Sequence, residues 1–369
     1  MAERHLLLAG GGHAHVEVLR RLAQRPIEGW RVTLITRERH SPYSGMLPGV
    51  AAGLYRPEQA LIDTRALAAR THAELVLDSV EALEPDARLL HRVNGAPIAY
   101  DLLSVDTGAT PDISGVPGAA RHALPLKPID ALLPRLADLA ERARAGQVVA
   151  IVGGGAAGTE MALALHARLG PCGVRVVLVA GEAGLLPGLP EALRRCAAAE
   201  LATRGITLHE GEDVTEVTRE GLRFRGAPPL PADTVLWATG AASAEWLARS
   251  GLERDRRGFL QVEPTLQALG QKEVFAAGDV ASLLPEPLPK AGVFAVRQGP
   301  VLARNLRAAA EGRALERFRP QRDWLVLLSL GDGHALGTRN GLVFGGAWVW
   351  WWKDWIDRRF VARYRREPE

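Results

Sequence analysis

Cysteine is almost missing from this chain: 369 residues hold only Cys172 and Cys196, which share no C-x-x-C, no metal-ligand spacing and no disulfide framework. No metal site is expected, both thiols read as structural, and a reducing compartment, the cytoplasm, is implied. An excess of either charge is missing too. With 45 basic against 42 acidic residues and a net charge of +3, nucleic acid is not an expected partner. No run of about 18 apolar residues is present to span a bilayer. The early HLLLAGGG ends in glycines rather than a cleavage site, so it reads as a strand and not as a signal segment.

What remains is a globular composition, 47% hydrophobic and 24% charged, on a chain long enough for two domains. One stretch organises it. The apolar run Val148–Val152 meets Gly153-Gly154-Gly155-Ala156-Ala157-Gly158, a full G-x-G-x-x-G, and then MALALHARL at helical spacing. Gly153 permits a sharp turn, Gly155 and Ala156 let backbone approach a pyrophosphate, and Gly158 lets helix and strand pack closely. The same construction opens the chain as His5–Ala9, Gly10-Gly11-Gly12-His13-Ala14-His15 and VEVLRRLAQ. Here His15 replaces the third glycine and is expected to push the helix off the strand. His13 either touches a ligand or packs the helix start.

In both copies the second strand ends without the acid that reads ribose hydroxyls. Thr36, followed by Arg37, and Ala180 stand there, with Glu38 and Glu182 two residues beyond. Neutral Ala180 does not repel a 2′-phosphate whereas Glu182 would, so NADH and NADPH both stay open. The loop RHSPYSGMLPGVAAG is longer than a connector needs and is a candidate active-site wall. Residues 74 to 107 read as a β-meander about Asn94-Gly95, and 206 to 225 as another. LLSVDTGA, with Thr107, Gly108 and Ala109, is echoed by TVLWATGA, with Gly240. This duplication predicts an α/β chain with two Rossmann-like, three-layer nucleotide-binding domains.

GGGHAH, the DTGA and ATGA pair, and FAAGDVA followed by PKAGVFAVRQG resemble the FAD-dependent pyridine nucleotide-disulfide oxidoreductase superfamily. The branch it looks most like holds type II NADH dehydrogenases and sulfide:quinone oxidoreductases. It is also similar to the flavoprotein module fused ahead of selenide, water dikinase. The resemblance implies FAD and NAD(P)H as cofactors. It implies an FAD domain over 1–125 and 250–315, an NAD(P) domain inserted over 126–249, and a small C-terminal strand and amphipathic-helix region over 316–369.

By the same resemblance Gly10, Gly12, His13 and Ala14 face the FAD pyrophosphate, Thr107 to Ala109 line its path, and Thr36, Arg37 and Val80 are further cofactor contacts. Asp279, beside Gly278, accepts a ribityl hydroxyl. The helix from Ala291 and Gly292 aims its N-terminus at the flavin edge where charge develops. Lys290 either adds a cation there or is a solvated lysine after Pro289. Gly153, Gly155, Ala156, Gly158, Glu182 and Gly240 belong to the NAD(P) side. Glu160 contacts the nicotinamide ribose or carboxamide, or complements the helix dipole.

With no thiol pair placed near the flavin, electrons are expected to leave for a quinone-like acceptor. The alternatives are an oxidoreductase of a reduced sulfur or selenium compound, and a nucleotide-binding flavoprotein without turnover. The tail 345–366 carries five of the nine tryptophans, with Trp348, Trp351, Trp352, Trp355 and Phe360 close to helical spacing, and Lys353, Arg358, Arg359, Arg363, Arg365 and Arg366 making the rest basic. Such a helix either lies in a membrane interface, on the inner face of the cell membrane, or packs on the protein body or in a homodimer.

Overall fold

A computed structural model describes residues 3–113, 115–321 and 323–365; Arg366 lies outside the described residues. In chain order, the strands of the three principal sheets and the helices longer than ten residues are as follows. The first group is β1 Arg4–Ala9, α1 His13–Gln24, β2 Trp30–Thr36, β3 Glu74–Leu77 and β4 Leu102–Val105. The second is β5 Ala123–Pro125, α2 Ile129–Glu141, β6 Val148–Val152, α3 Ala156–Leu169, β7 Arg175–Gly181, α4 Glu191–Thr203, β8 Thr207–Glu210 and β9 Thr234–Trp237. The last is β10 Val274–Ala276, α5 Gly292–Ala310, β11 Val326–Ser329, β12 Ala335–Arg339, β13 Leu342–Gly346 and α6 Ala347–Arg365.

Two five-stranded parallel sheets result, in the orders β10-β4-β1-β2-β3 and β5-β9-β6-β7-β8. They share one plan: the first strand is flanked by the second and by the strand closing the repeat. Only the outermost strand differs in origin. In one sheet it comes from beyond residue 270, in the other from before α2. β5 thus already pairs with β9, just ahead of the expected boundary at 126. Parallel strands covered on both faces must be apolar throughout, and Leu6 to Ala9 and Val148 to Val152 are all buried.

Each expected meander is really a parallel strand followed by a separate three-stranded antiparallel sheet. Glu74–Leu77 joins the first parallel sheet, and 80–84, 89–92 and 98–99 form their own. Asp78 makes the break. Its buried carboxylate accepts Ser79 N–H at 2.8 Å and Asn94 Nδ2 at 3.1 Å, ending one strand and pinning the Asn94-Gly95 hairpin. In the second copy Thr207–Glu210 is parallel, and 214–231 is the small sheet. The C-terminal region is an antiparallel β11-β12-β13 sheet running directly into α6.

The glycine turns explain the tight packing. Gly10 (φ +105°) and Gly153 (φ +129°) adopt backbone open to glycine, and a Cβ on either would meet the backbone of residue 106 or 238 at 2.3 or 2.7 Å. A Cβ on Gly158 would fall 1.9 Å from the Gly153 carbonyl oxygen. Gly158→Ala is therefore expected to cost about 3 kcal/mol of stability, read as a lowered denaturant midpoint. An unchanged midpoint would show that α3 can lift off β6 cheaply.

Candidate functional site

The two turns are built alike. Gly10 N–H donates to Ile35 O at 2.7 Å and Gly153 N–H to Val179 O at 2.7 Å, while Asp106 and Ala238 donate to Ala9 O and Val152 O. Neither α1 nor α3 has an acidic residue in its first turn or a side-chain bond from its own cap residue. Such N-termini suit an anion.

At the first turn, though, a buried carboxylate has moved in. Asp106 Oδ2 accepts the Ala14 N–H at 2.8 Å and the His15 N–H at 3.1 Å, and its carbonyl takes the Gly12 N–H. Gly12 and Ala14 therefore serve this turn through small size, their amides being committed within the protein. Burial, with Asp279 nearby, pushes the Asp106 carboxyl up to about 7. Sequence reasoning missed Asp106, although the signal was available: VDTGA places Asp106 where WATGA has Ala238.

His15 is fully buried at the helix start. Its Nδ1 donates to Gly10 O at 2.6 Å and its Nε2 accepts from Ser104 Oγ at 2.8 Å, so a hydrogen bond to the first glycine replaces the close approach that Gly158 makes in the second copy. Burial lowers its pKa to about 4, which keeps the ring neutral for these roles. Thr36 is buried with its Oγ1 against Gly11; Arg37 and Glu38 are exposed, and burial and Asp130 raise Glu38. Val80 begins the small sheet beyond β3.

Around the first turn a charged group converges. Asp279, in the turn after β10, accepts Lys127 Nζ at 2.8 Å, an ion pair no sequence feature announced. Lys290 lies over the Phe259 ring at 3.8 Å and donates to Ala281 O at 2.7 Å. Burial lowers it to about 8, against the pull of Asp279. Ala291 caps α5, and Gly292 opens it beside Ser44 and His13. Thr107 Oγ1 is buried without a hydrogen-bond partner, next to Gly108.

His13 leads to a second group, half-buried at its ends and buried at Lys353 and Asp357. Its ring contacts Tyr43 at 5.5 Å and Phe360 at 5.8 Å, and burial lowers its pKa to about 4. Tyr43 stacks on Phe360 at 4.4 Å and hydrogen-bonds Asp357. Asp357 accepts Lys353 Nζ at 2.7 Å, and Lys353 also donates to Gly45 O. Beside Lys353 lies Glu160, whose Oε1 accepts Ser329 N–H at 2.8 Å. Burial pushes Glu160 up to about 7, with Lys353 opposing. Lys353 loses to burial but gains more from Asp357 and Glu160, so it is held protonated. The loop 39–53 thus lends Tyr43 and Gly45 to the group, while Leu47 and Ala51 join the core of the second sheet.

One tail residue was misplaced from sequence: Lys353 faces inward with Phe360, because a helix packed on one side buries both, while Phe360 follows the reading in which the apolar face packs on the protein body. Trp348, Trp351 and Trp355 remain 54%, 69% and 56% exposed. Both cysteines are exposed free thiols, on the surface rather than in a core.

At the second turn a cavity of about 300 Å³ opens over the strand ends, lined by Val152, Gly153, Ala180, Gly181, Asp213 and Trp237 among others. Gly155 caps α3 and Ala156 begins it; Gly240 follows Thr239, which also lines the cavity. Glu182 is exposed, and its N–H bonds Asp213.

Residues 4–299 match the family described as pyridine nucleotide-disulphide oxidoreductase. Among relatives, the chain is similar to demethylphylloquinone reductase of Synechocystis, 31% identical over 68% of this chain and 62% of that one, so it spans under two thirds of that relative. It is also similar to the type II NADH:quinone oxidoreductase of Staphylococcus aureus, 23% identical over 98% and 96%. Its fold matches the sulfide:quinone oxidoreductase of Aquifex aeolicus with a TM-score of 0.82 at 19% identity, covering 98% of this chain and 91% of that one. By its two glycine turns, its paired parallel sheets and that match across most of its length, the chain belongs to the pyridine nucleotide-disulphide oxidoreductase family.

Proposed function

We propose that this chain takes hydride from a nicotinamide dinucleotide and passes the electrons to a quinone, with FAD between them. The residues present fit FAD. Thr107 Oγ1 is a buried hydroxyl lacking a partner among the described residues, beside Gly108, where a Cβ would meet nothing within 4 Å. Gly10 and Gly12, whose small size lets the turn close on Asp106, would bring backbone toward the pyrophosphate, and Asp279 and Gly292 would flank the ring end. Bound FAD would supply acceptance of the hydride and onward transfer of its two electrons. Lys127, Asp279 and Lys290 then set the charge at that end, with the α5 N-terminus adding its dipole.

The observation that carries the quinone reading is the run from His13 through Tyr43, Asp357 and Lys353 to Glu160, buried at Asp357 and Lys353 and half-buried elsewhere. A quinone becomes a quinol only by gaining protons with its electrons, and this run sets half-buried proton-bearing groups about a buried Lys353–Asp357 pair. Names of relatives point the same way, since the Synechocystis and Staphylococcus proteins act on quinones. Against a sulfur or selenium substrate stands the surface position of the chain's two thiols. The test is anaerobic bleaching of the holoprotein by NADH, then reoxidation by a quinone panel. Bleaching without quinone reoxidation would overturn the acceptor, and no bleaching the whole reading.

We further read the exposed tryptophans of α6 as a membrane-interface contact that brings the chain to a lipid-soluble acceptor. No described helix is long and apolar enough to cross a membrane. Lys290→Gln tests the charge at the ring end: flavin reduction is expected to slow about tenfold. In the parent the rate should fall as pH rises through about 8, where Lys290 loses its proton, and the variant should lack that step. Identical stopped-flow traces would remove Lys290 from the site.

A further inference from the structure

Ala180 stands one residue before the end of β7, where an acid would read the adenine ribose, yet an acid reaches that place from another strand. Asp213, just past β8, lies across Gly181. Its Oδ1 accepts the Glu182 N–H at 3.0 Å, and a Cβ on Gly181 would sit 2.3 Å from that oxygen. The cavity it lines is closed by Gly153 of the phosphate turn and by Ala180, which puts Asp213 beside the first and second strand ends. Asp112 is the other charged residue of that lining; no lysine or arginine belongs to it among the described residues. Glu210 adds negative charge nearby, accepting the Leu185 N–H at 2.8 Å from the same loop.

We propose that Asp213 selects the dinucleotide, accepting hydrogen bonds from the 2′,3′-diol of the adenine ribose and turning away a 2′-phosphate, so that this chain uses NADH rather than NADPH. The inference rests on the hydride-transfer reading above and adds its substrate. A 2′-phosphate carries close to two negative charges and would enter between Asp112 and Asp213 with no cation in the lining to meet it. A ribose diol has donors for the carboxylate and no charge to repel. The glycine at 181 is what leaves room for a carboxylate arriving from β8, so the loss of the usual acid at 180 and the gain of one at 213 are one arrangement. Glu182, the acid nearest in sequence, supplies its amide to position Asp213.

Calorimetric titration of the holoprotein with NAD⁺ and NADP⁺ tests this apart from turnover, with anaerobic flavin reduction run alongside. NADP⁺ is expected to bind about 100-fold more weakly than NAD⁺. Asp213→Asn keeps an oxygen for the Glu182 N–H; it should weaken NAD⁺ about tenfold and bring the two dissociation constants within about threefold. Near-equal binding by the parent, or an unchanged ratio in the variant, would overturn the assignment. Selective NAD⁺ binding by a chain whose flavin no dinucleotide reduces would uphold Asp213 and overturn the redox reading instead.

Discussion

Glu160→Gln is expected to slow reoxidation of the reduced holoprotein by quinone about 100-fold, while flavin reduction by NADH changes far less. The substitution keeps the shape and an oxygen for Ser329 N–H, so the fold around β11 should hold. What it removes is a proton. Glu160 is raised to about 7 because burial disfavours its charge, and the Lys353 ammonium only partly offsets this. A carboxyl with that pKa gives up a proton near neutrality and regains one as readily, which is what a group feeding protons to a quinone needs. Lys353 cannot stand in for it, since Asp357 and Glu160 together hold its proton tightly.

The pH dependence follows with a definite sign. Below about 7 Glu160 is protonated and quinone reoxidation should be fast; as pH rises through about 7 the rate should fall. The glutamine variant should be slow and flat across that range. A variant reoxidised at the parent rate, or one keeping the parent's slope, would take Glu160 out of proton delivery. A variant slowed equally in both half-reactions would return it to the nicotinamide role.

What could be read from sequence was local in the chain. The strand, glycine turn and helix are contiguous, their apolar runs are uninterrupted, and the second copy at 148–160 shows which features of the first matter. Residues that act across the fold were not legible. Lys127 meets Asp279, and Lys353 meets Gly45, over long sequence separations, and nothing in the neighbourhood of either lysine marks it. Lys353 even looked like part of a basic surface, because one lysine among arginines carries no sign of which way its helix faces. His15 has a role that the fingerprint does not announce. It departs from the fingerprint, yet its two ring nitrogens join Gly10 to Ser104, so the departure binds the turn together.

Replacing Trp348, Trp351 and Trp355 together by serine is expected to weaken binding to anionic lipid vesicles about 1000-fold, leaving flavin content unchanged. These residues recur at helical spacing on the outer face of α6, where they remain more than half exposed. Each indole inserted into an interface contributes roughly 1.5 kcal/mol, so three contribute about 4.5 kcal/mol, or a little over three powers of ten in affinity. Deleting the helix would not be a clean test. Its other face buries Val349, Phe360, Val361 and Tyr364 in the first core and carries Lys353 and Asp357, so deletion would remove the proposed proton run and its packing together. Substituting only the outward tryptophans separates the two faces. Arg359, stacked on Trp355 at 5.2 Å, and Arg363 place positive charge beside them, so binding should also weaken as salt is raised. Flotation of phosphatidylglycerol vesicles with the parent and the triple variant decides it. A parent that fails to float, or a variant that floats as well, would overturn the membrane reading; a parent that instead dimerises through this face, and a variant that is monomeric, would assign the tryptophans to a second copy of the chain.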